Sequence, residues 1–142
     1  MDFPHKKERQ ILEDLIASTP GDEGKWFAAA KSAGLYEVAI ELAHRTPCDP
    51  KTLIRAARDL ETTEPHFAVE AGVAALRWLV EGYGYEISSM DVWAAYHHTL
   101  KAAAKAGCQP ETIERLRELV AGETLGERFV HQILGRELGL KP

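Results

Sequence analysis

In nearly every segment between glycines and prolines, apolar residues recur three and four positions apart, the period of an α-helix. Alanine is abundant and β-branched residues are few, so the pattern predicts an all-α protein. A first helix over residues 5–17 gathers Ile11, Leu12, Leu15 and Ile16 into a buried stripe, and Pro20-Gly21 ends it. A second over residues 22–33 offers Trp26, Phe27 and Ala30 to the interior, with Gly34 supplying the turn. The third, over residues 35–44, directs Leu35, Val38, Ala39 and Leu42 inward and stops before Pro47.

The second half is punctuated more sharply. Asp49-Pro50 joins an acidic N-cap to a proline at the first helical position, which starts a helix over residues 50–61. The fifth helix, residues 64–82, is apolar almost all round: Phe67, Ala71, Ala74, Trp78 and Leu79 on one side, Val69, Val73, Leu76 and Val80 on another. Only a strip of Glu70, Arg77 and Glu81 is polar, so this helix is read as buried and central. Gly82-Tyr83-Gly84-Tyr85 breaks it. Ser88 with Asp91 forms a capping box for a sixth helix over residues 89–106. There Met90, Trp93, Tyr96, Leu100 and Ala104 share one face and Ala95, Ala102 and Ala106 a second, small-residue face, so the helix can pack on two neighbours. A seventh helix follows over residues 110–121, with Ile113, Leu116 and Val120 inward and a possible Glu111–Arg115 pair. Thr124 and Glu127 are read as capping an eighth over residues 125–138, burying Phe129, Val130, Ile133 and Leu134.

Short connections turn consecutive helices into antiparallel hairpins, and hairpins apolar on two faces stack. The expected fold is therefore about eight helices in stacked hairpins, an irregular helical bundle being the alternative, as a single domain over residues 1–142. The run Ala33-Gly34-Leu35-Tyr36-Glu37-Val38-Ala39-Ile40 resembles the inter-helix turn of a tetratricopeptide repeat, with Trp26 at the large position of the first helix. The match covers residues 26–43 and departs from the family at Phe27, where the pattern is small. It implies an α-solenoid whose work is protein recognition.

A formal charge of −5 over 142 residues disfavours a nucleic-acid binder, which should present a positive face to phosphates. No apolar run approaches the ~20 residues needed to cross a bilayer, and residues 1–9 contain no signal-peptide core, so a cytoplasmic location is expected. Cys48 and Cys108 lie far apart and outside any Cys-x-x-Cys pair, which suggests neither a disulfide framework nor zinc.

Packing leaves few residues for chemistry. Glu41 and His44 have the Glu-x-x-His spacing of di-iron bundles, but it occurs once, and a histidine near a helix C-terminus is the simpler account. His97 and His98 read as a partly buried residue and a polar-strip neighbour of Lys101 and Lys105. Both cysteines read as inert, and Lys51, Arg55 and Arg58 as a solvated stripe. Nucleophile elbows, phosphate loops and dinucleotide fingerprints are all missing, so neither catalysis nor a cofactor is expected. The least ordinary feature is aromatic. Trp78, Tyr83, Tyr85, Trp93 and Tyr96, with Arg77 and His97, surround a Gly-flexed turn between the two longest helices and form the candidate partner-binding site. Trp78, Trp93 and Tyr96 also suit the core between helices five and six, whereas Tyr83 and Tyr85 flank Gly84 and suit exposure. The expected function is a non-enzymatic module that binds a protein or peptide, with a homodimer as a further possibility. The alternative is a small-molecule or enzymatic pocket between helices five and six, using Arg77, Tyr96 and His97.

Overall fold

The computed structural model describes residues 4–21 and 23–141. Among them the chain forms eight α-helices, one 3-10 helix and no strand, as an all-α pattern requires. They are α1 (Pro4–Ala17), α2 (Phe27–Ser32), α3 (Tyr36–Arg45), α4 (Pro50–Leu60), α5 (Pro65–Val80), α6 (Ser89–Ala106), α7 (Gln109–Ala121) and α8 (Phe129–Leu134). They group into two compact units, Met1–Cys48 and Asp49–Pro142.

In the first unit the expected second helix is divided, and its first residue, Asp22, lies outside the described residues. Glu23–Trp26 is a 3-10 turn, and the α-helix begins only at Phe27. Gly24 supplies the reason. Its N–H donates to Thr46 Oγ1 at 2.6 Å, its carbonyl accepts from the Cys48 thiol at 3.2 Å, and a Cβ there would meet the Pro47 carbonyl. The return segment after α3 therefore presses on the helix start and tightens it. Phe27 and Ala30 are buried, and Trp26 donates from Nε1 to Thr19 Oγ1 at 3.0 Å. The first stripe is only partly internal. Leu12 is buried and Ile16 half-buried, but Ile11 and Leu15 stay exposed and line an apolar cavity of about 350 Å³ with Ala29 and Ala33. Gly34, at φ 75°, closes α2: its N–H reaches the Lys31 carbonyl and that of Leu35 reaches Ala30. On α3, Glu41 pairs with Arg45, one turn on.

The second unit is built around α5, which packs on α4, α6, α7 and α8. From Phe67 to Val80 only Glu70 and Arg77 are more than slightly exposed, as the all-round apolar pattern of this segment requires. Asp49 caps α4 by accepting from the Lys51 N–H at 3.3 Å and the Thr52 hydroxyl at 3.0 Å, with Pro50 buried behind it. The capping box of α6 forms, the Ser88 N–H donating to Asp91 Oδ2 at 2.8 Å. Arg115 does not look to Glu111. Its two terminal nitrogens grip the Glu70 carboxylate of α5 at 2.6 and 3.0 Å, a bidentate bond that raises the guanidinium pKa further.

Of the two faces of α6 able to pack, the small-residue face is the buried one. Val92, Ala95, Thr99, Ala102 and Ala103 are buried, while Met90 and Ala104 are exposed and Leu100 half-buried. The cause lies on α5. A Cβ at Gly72 would overlap Thr99 Oγ1, so the two helices approach more closely than bulky side chains permit. Small residues fill that seam and the large ones turn outward.

The last helix is also shorter than expected, six residues beginning at Phe129. Gly126 and Arg128 both take positive φ, 54° and 56°, which prevents a helix from running through residues 125–128. Thr124 and Glu127 do not cap it. The buried Glu123 carboxylate does, accepting from the Val130 N–H at 3.1 Å and the His131 N–H at 2.6 Å.

Candidate functional site

The chain leaves α5 through a Schellman turn. The Gly82 N–H donates to the Leu79 carbonyl at 3.0 Å and the Tyr83 N–H to that of Trp78 at 2.9 Å, with Gly82 at φ 89°. The hydrophobic contact that accompanies this motif is present as an edge-on pair, the rings of Trp78 and Tyr83 lying 5.5 Å apart at 90°. Arg77 lies over the Trp78 ring, 4.4 Å from its centroid, and donates to Glu81 Oε2 at 3.1 Å. Trp78 is therefore a buried anchor that fixes Tyr83, and Tyr83 itself is exposed. Two residues on, Gly84 at φ 116° admits no side chain, because a Cβ would strike Ile87. The loop folds back over that contact and holds Tyr85 out in solvent at 79% exposure.

Opposite this loop stands the segment between α7 and α8. Tyr83, Gly84 and Ile87 on one side and Leu125 and Phe129 on the other enclose a groove of about 250 Å³, floored by Leu79 and Val80. Leu125 and Phe129 are 53% and 41% exposed, unusual for side chains of this size. Glu123 at the groove's base accepts from two amide donors of the α8 start and so fixes the far wall. The carboxylates of Glu81, Glu86 and Glu127 are on exposed residues of the two flanking segments, accompanied by Arg128.

The predicted site residues fall into two sets. Arg77, Trp78, Tyr83 and Tyr85 belong to the α5 end and its loop. Trp93, Tyr96 and His97 lie on α6. Trp93 is 40% exposed, His97 is exposed and Tyr96 half-buried, which corrects the expectation that Trp93 and Tyr96 fill the core and that His97 is partly buried. Trp93 and Tyr96 meet edge-on with centroids 6.0 Å apart. Burial, and secondarily the Glu137 carboxylate, raise the Tyr96 phenol above its ordinary value. His98 pairs with α4's neighbouring carboxylate: its Nδ1 lies 2.8 Å from Glu61 Oε2, and Lys101 Nζ is 3.5 Å from the other oxygen of the same carboxylate. The seam between α5 and α6, where a pocket was the alternative, is filled by Gly72, Thr99 and alanines.

Leu125, Phe129 and Ile87 were not singled out from sequence. The spacing alone places Phe129 on the inner face of a longer helix, and Gly126 inside that segment is the signal that the helix starts later. Among the described residues no group of three or more histidine, cysteine, aspartate or glutamate side chains is placed to hold a metal ion, and no helix is long and apolar enough to cross a membrane. No family model matches the chain, and no curated protein or solved structure matches it either.

Proposed function

We propose that the chain is a non-enzymatic interaction module of the cytoplasm, a tetratricopeptide-like stack of helical hairpins that binds a short protein segment in the groove between residues 82–87 and 125–129. The carrying observation is the groove itself, an apolar trough walled by exposed Tyr83, Leu125 and Phe129 and rigidly floored by α5. Its volume of about 250 Å³ lies below that of drug-sized pockets and suits one large apolar side chain of a peptide. Exposed Glu81, Glu86 and Glu127 favour a segment whose anchor is flanked by lysine or arginine. The hairpin part of this reading is supported by the packing of consecutive helices, α2 on α3, α4 on α5, α5 on α6, α6 on α7 and α7 on α8. Tight filling of the α5–α6 seam favours surface recognition over a pocket between those helices.

Selection of random peptides displayed on phage, followed by titration of the enriched sequence, tests this function. The expected winners carry an aromatic or long aliphatic residue beside basic ones. Phe129→Ser and Leu125→Asp should each weaken them about tenfold or more, Tyr85→Ala less, and Trp93→Ala should leave affinity unchanged. Failure to enrich any sequence, or binding indifferent to Phe129→Ser, would sink the proposal.

A further inference from the structure

The walls of the groove differ in stiffness. Tyr83 is held by its edge-on contact with Trp78, and Ile87 is packed against Gly84. Phe129 is carried at the start of α8, which Glu123 ties down through two amide donors. Leu79 and Val80 beneath them are buried on α5. Leu125 is placed differently. It stands on the segment between α7 and α8, one residue before Gly126 at φ 54°, and its side chain crosses to the opposite wall: a Cβ on Gly82 would lie 3.1 Å from Leu125 Cδ1. The two walls therefore meet at Gly82 and Leu125, and a terminal methyl group closes the trough at that end. Gly82 is held to glycine for two reasons, its left-handed backbone in the turn after α5 and the methyl that lies against its α-carbon.

We propose that Leu125 is the specificity-determining residue of the groove, and that the bound segment is anchored by leucine, methionine or phenylalanine in preference to tryptophan; the inference rests on the groove being the peptide site. The argument is one of length and stiffness. A side chain lying in a trough closed at one end extends only until it meets the closure. A single ring or a branched aliphatic chain is accommodated there, whereas a two-ring indole has to displace Leu125 from Gly82. Stiff walls convert such a difference into affinity, because walls that do not follow the ligand leave a void beside a small anchor and an overlap with a large one. Leu125 is 53% exposed, so its truncation enlarges the trough without removing core packing. Alanine in its place lacks the methyl that reaches Gly82 and opens that end of the trough. Tyr85, held out in solvent, takes no part in this closure.

Phage selection from one random library, run in parallel on the native chain and on Leu125→Ala, reads the anchor residue directly. Titration of the enriched peptide with its anchor exchanged among leucine, phenylalanine and tryptophan then gives the ranking. On the native chain leucine or phenylalanine should exceed tryptophan by about tenfold, the scale on which an apolar pocket resolves small differences in size. Leu125→Ala should bring tryptophan level with phenylalanine or above it, with an unchanged circular dichroism spectrum, while Tyr85→Ala should leave the ranking as it is. Tryptophan bound by the native chain as tightly as phenylalanine, or a ranking that survives Leu125→Ala, would overturn the role of Leu125. If Phe129→Ser still weakens the same peptides in that case, the groove stands as the peptide site and only its selectivity has been misassigned. Binding indifferent to Phe129→Ser would remove the groove, and this inference with it.

Discussion

Both oxygens of Glu123 are occupied by amide protons of the α8 start, and the side chain is only 4% exposed. A carboxylate in this position does three things at once: it satisfies orphan donors, opposes the helix dipole, and fixes the wall that carries Phe129. Glu123→Ala should cost about 2–3 kcal/mol in chemical denaturation, since it leaves buried donors unsatisfied. Faster hydrogen exchange at Val130 and His131 should accompany the loss, and Glu123→Gln should cost less because one acceptor remains. Tyr96 allows a second prediction at this scale. Its phenol is raised by burial and then by Glu137, so the folded state holds this proton more tightly than the unfolded chain does. The sign follows: this contribution is whole below the ordinary phenol value of about 10 and declines as pH rises through that value toward the folded one. Ultraviolet titration should show a late-ionising tyrosine that disappears in Tyr96→Phe and moves to lower pH in Glu137→Gln.

At the scale of elements, α4, α5, α6 and α7 were legible to within a residue or two because their signals are local. Asp49-Pro50, Ser88 with Asp91, and Gly107 act on neighbours in the chain, and each does so here. The orientation of α6 was not legible. The helix has two faces able to pack, and the choice between them is made by Gly72 on another helix, information that the spacing within residues 89–106 does not contain. The start of α8 was misread for a similar reason, since its cap lies at Glu123, across a loop whose backbone turns left-handed at Gly126 and Arg128. The site divides along the same line: exposure of Tyr83 and Tyr85 follows from the glycines beside them, while Leu125 and Phe129 join them only through tertiary folding. Gly72→Ala measures the decisive contact. The added methyl overlaps Thr99, and overpacking of this kind costs about 1–3 kcal/mol. Thr99→Ala in the same chain should recover much of that loss in a double-mutant cycle on thermal or urea unfolding, whereas additive effects would show that the helices simply move apart.

For the whole molecule, the division at Asp49 carries its own prediction. Asp49–Pro142 contains Leu53, Leu76, Val92, Leu116, Val120, Val130 and Leu134, all essentially inaccessible, and its other four helices share α5 as a common partner. Residues 49–142 alone should therefore give a helical spectrum and one cooperative thermal transition, a broad or absent transition being the contrary result. The groove belongs to this unit, so binding should persist in it. The Gly72–Thr99 seam also governs how such a chain drifts through descent. Neither position can enlarge alone, so a lineage reaches alanine at 72 readily only after 99 has first become smaller. The order of the two steps matters, and diverged copies of this chain should carry the pair as one inherited character.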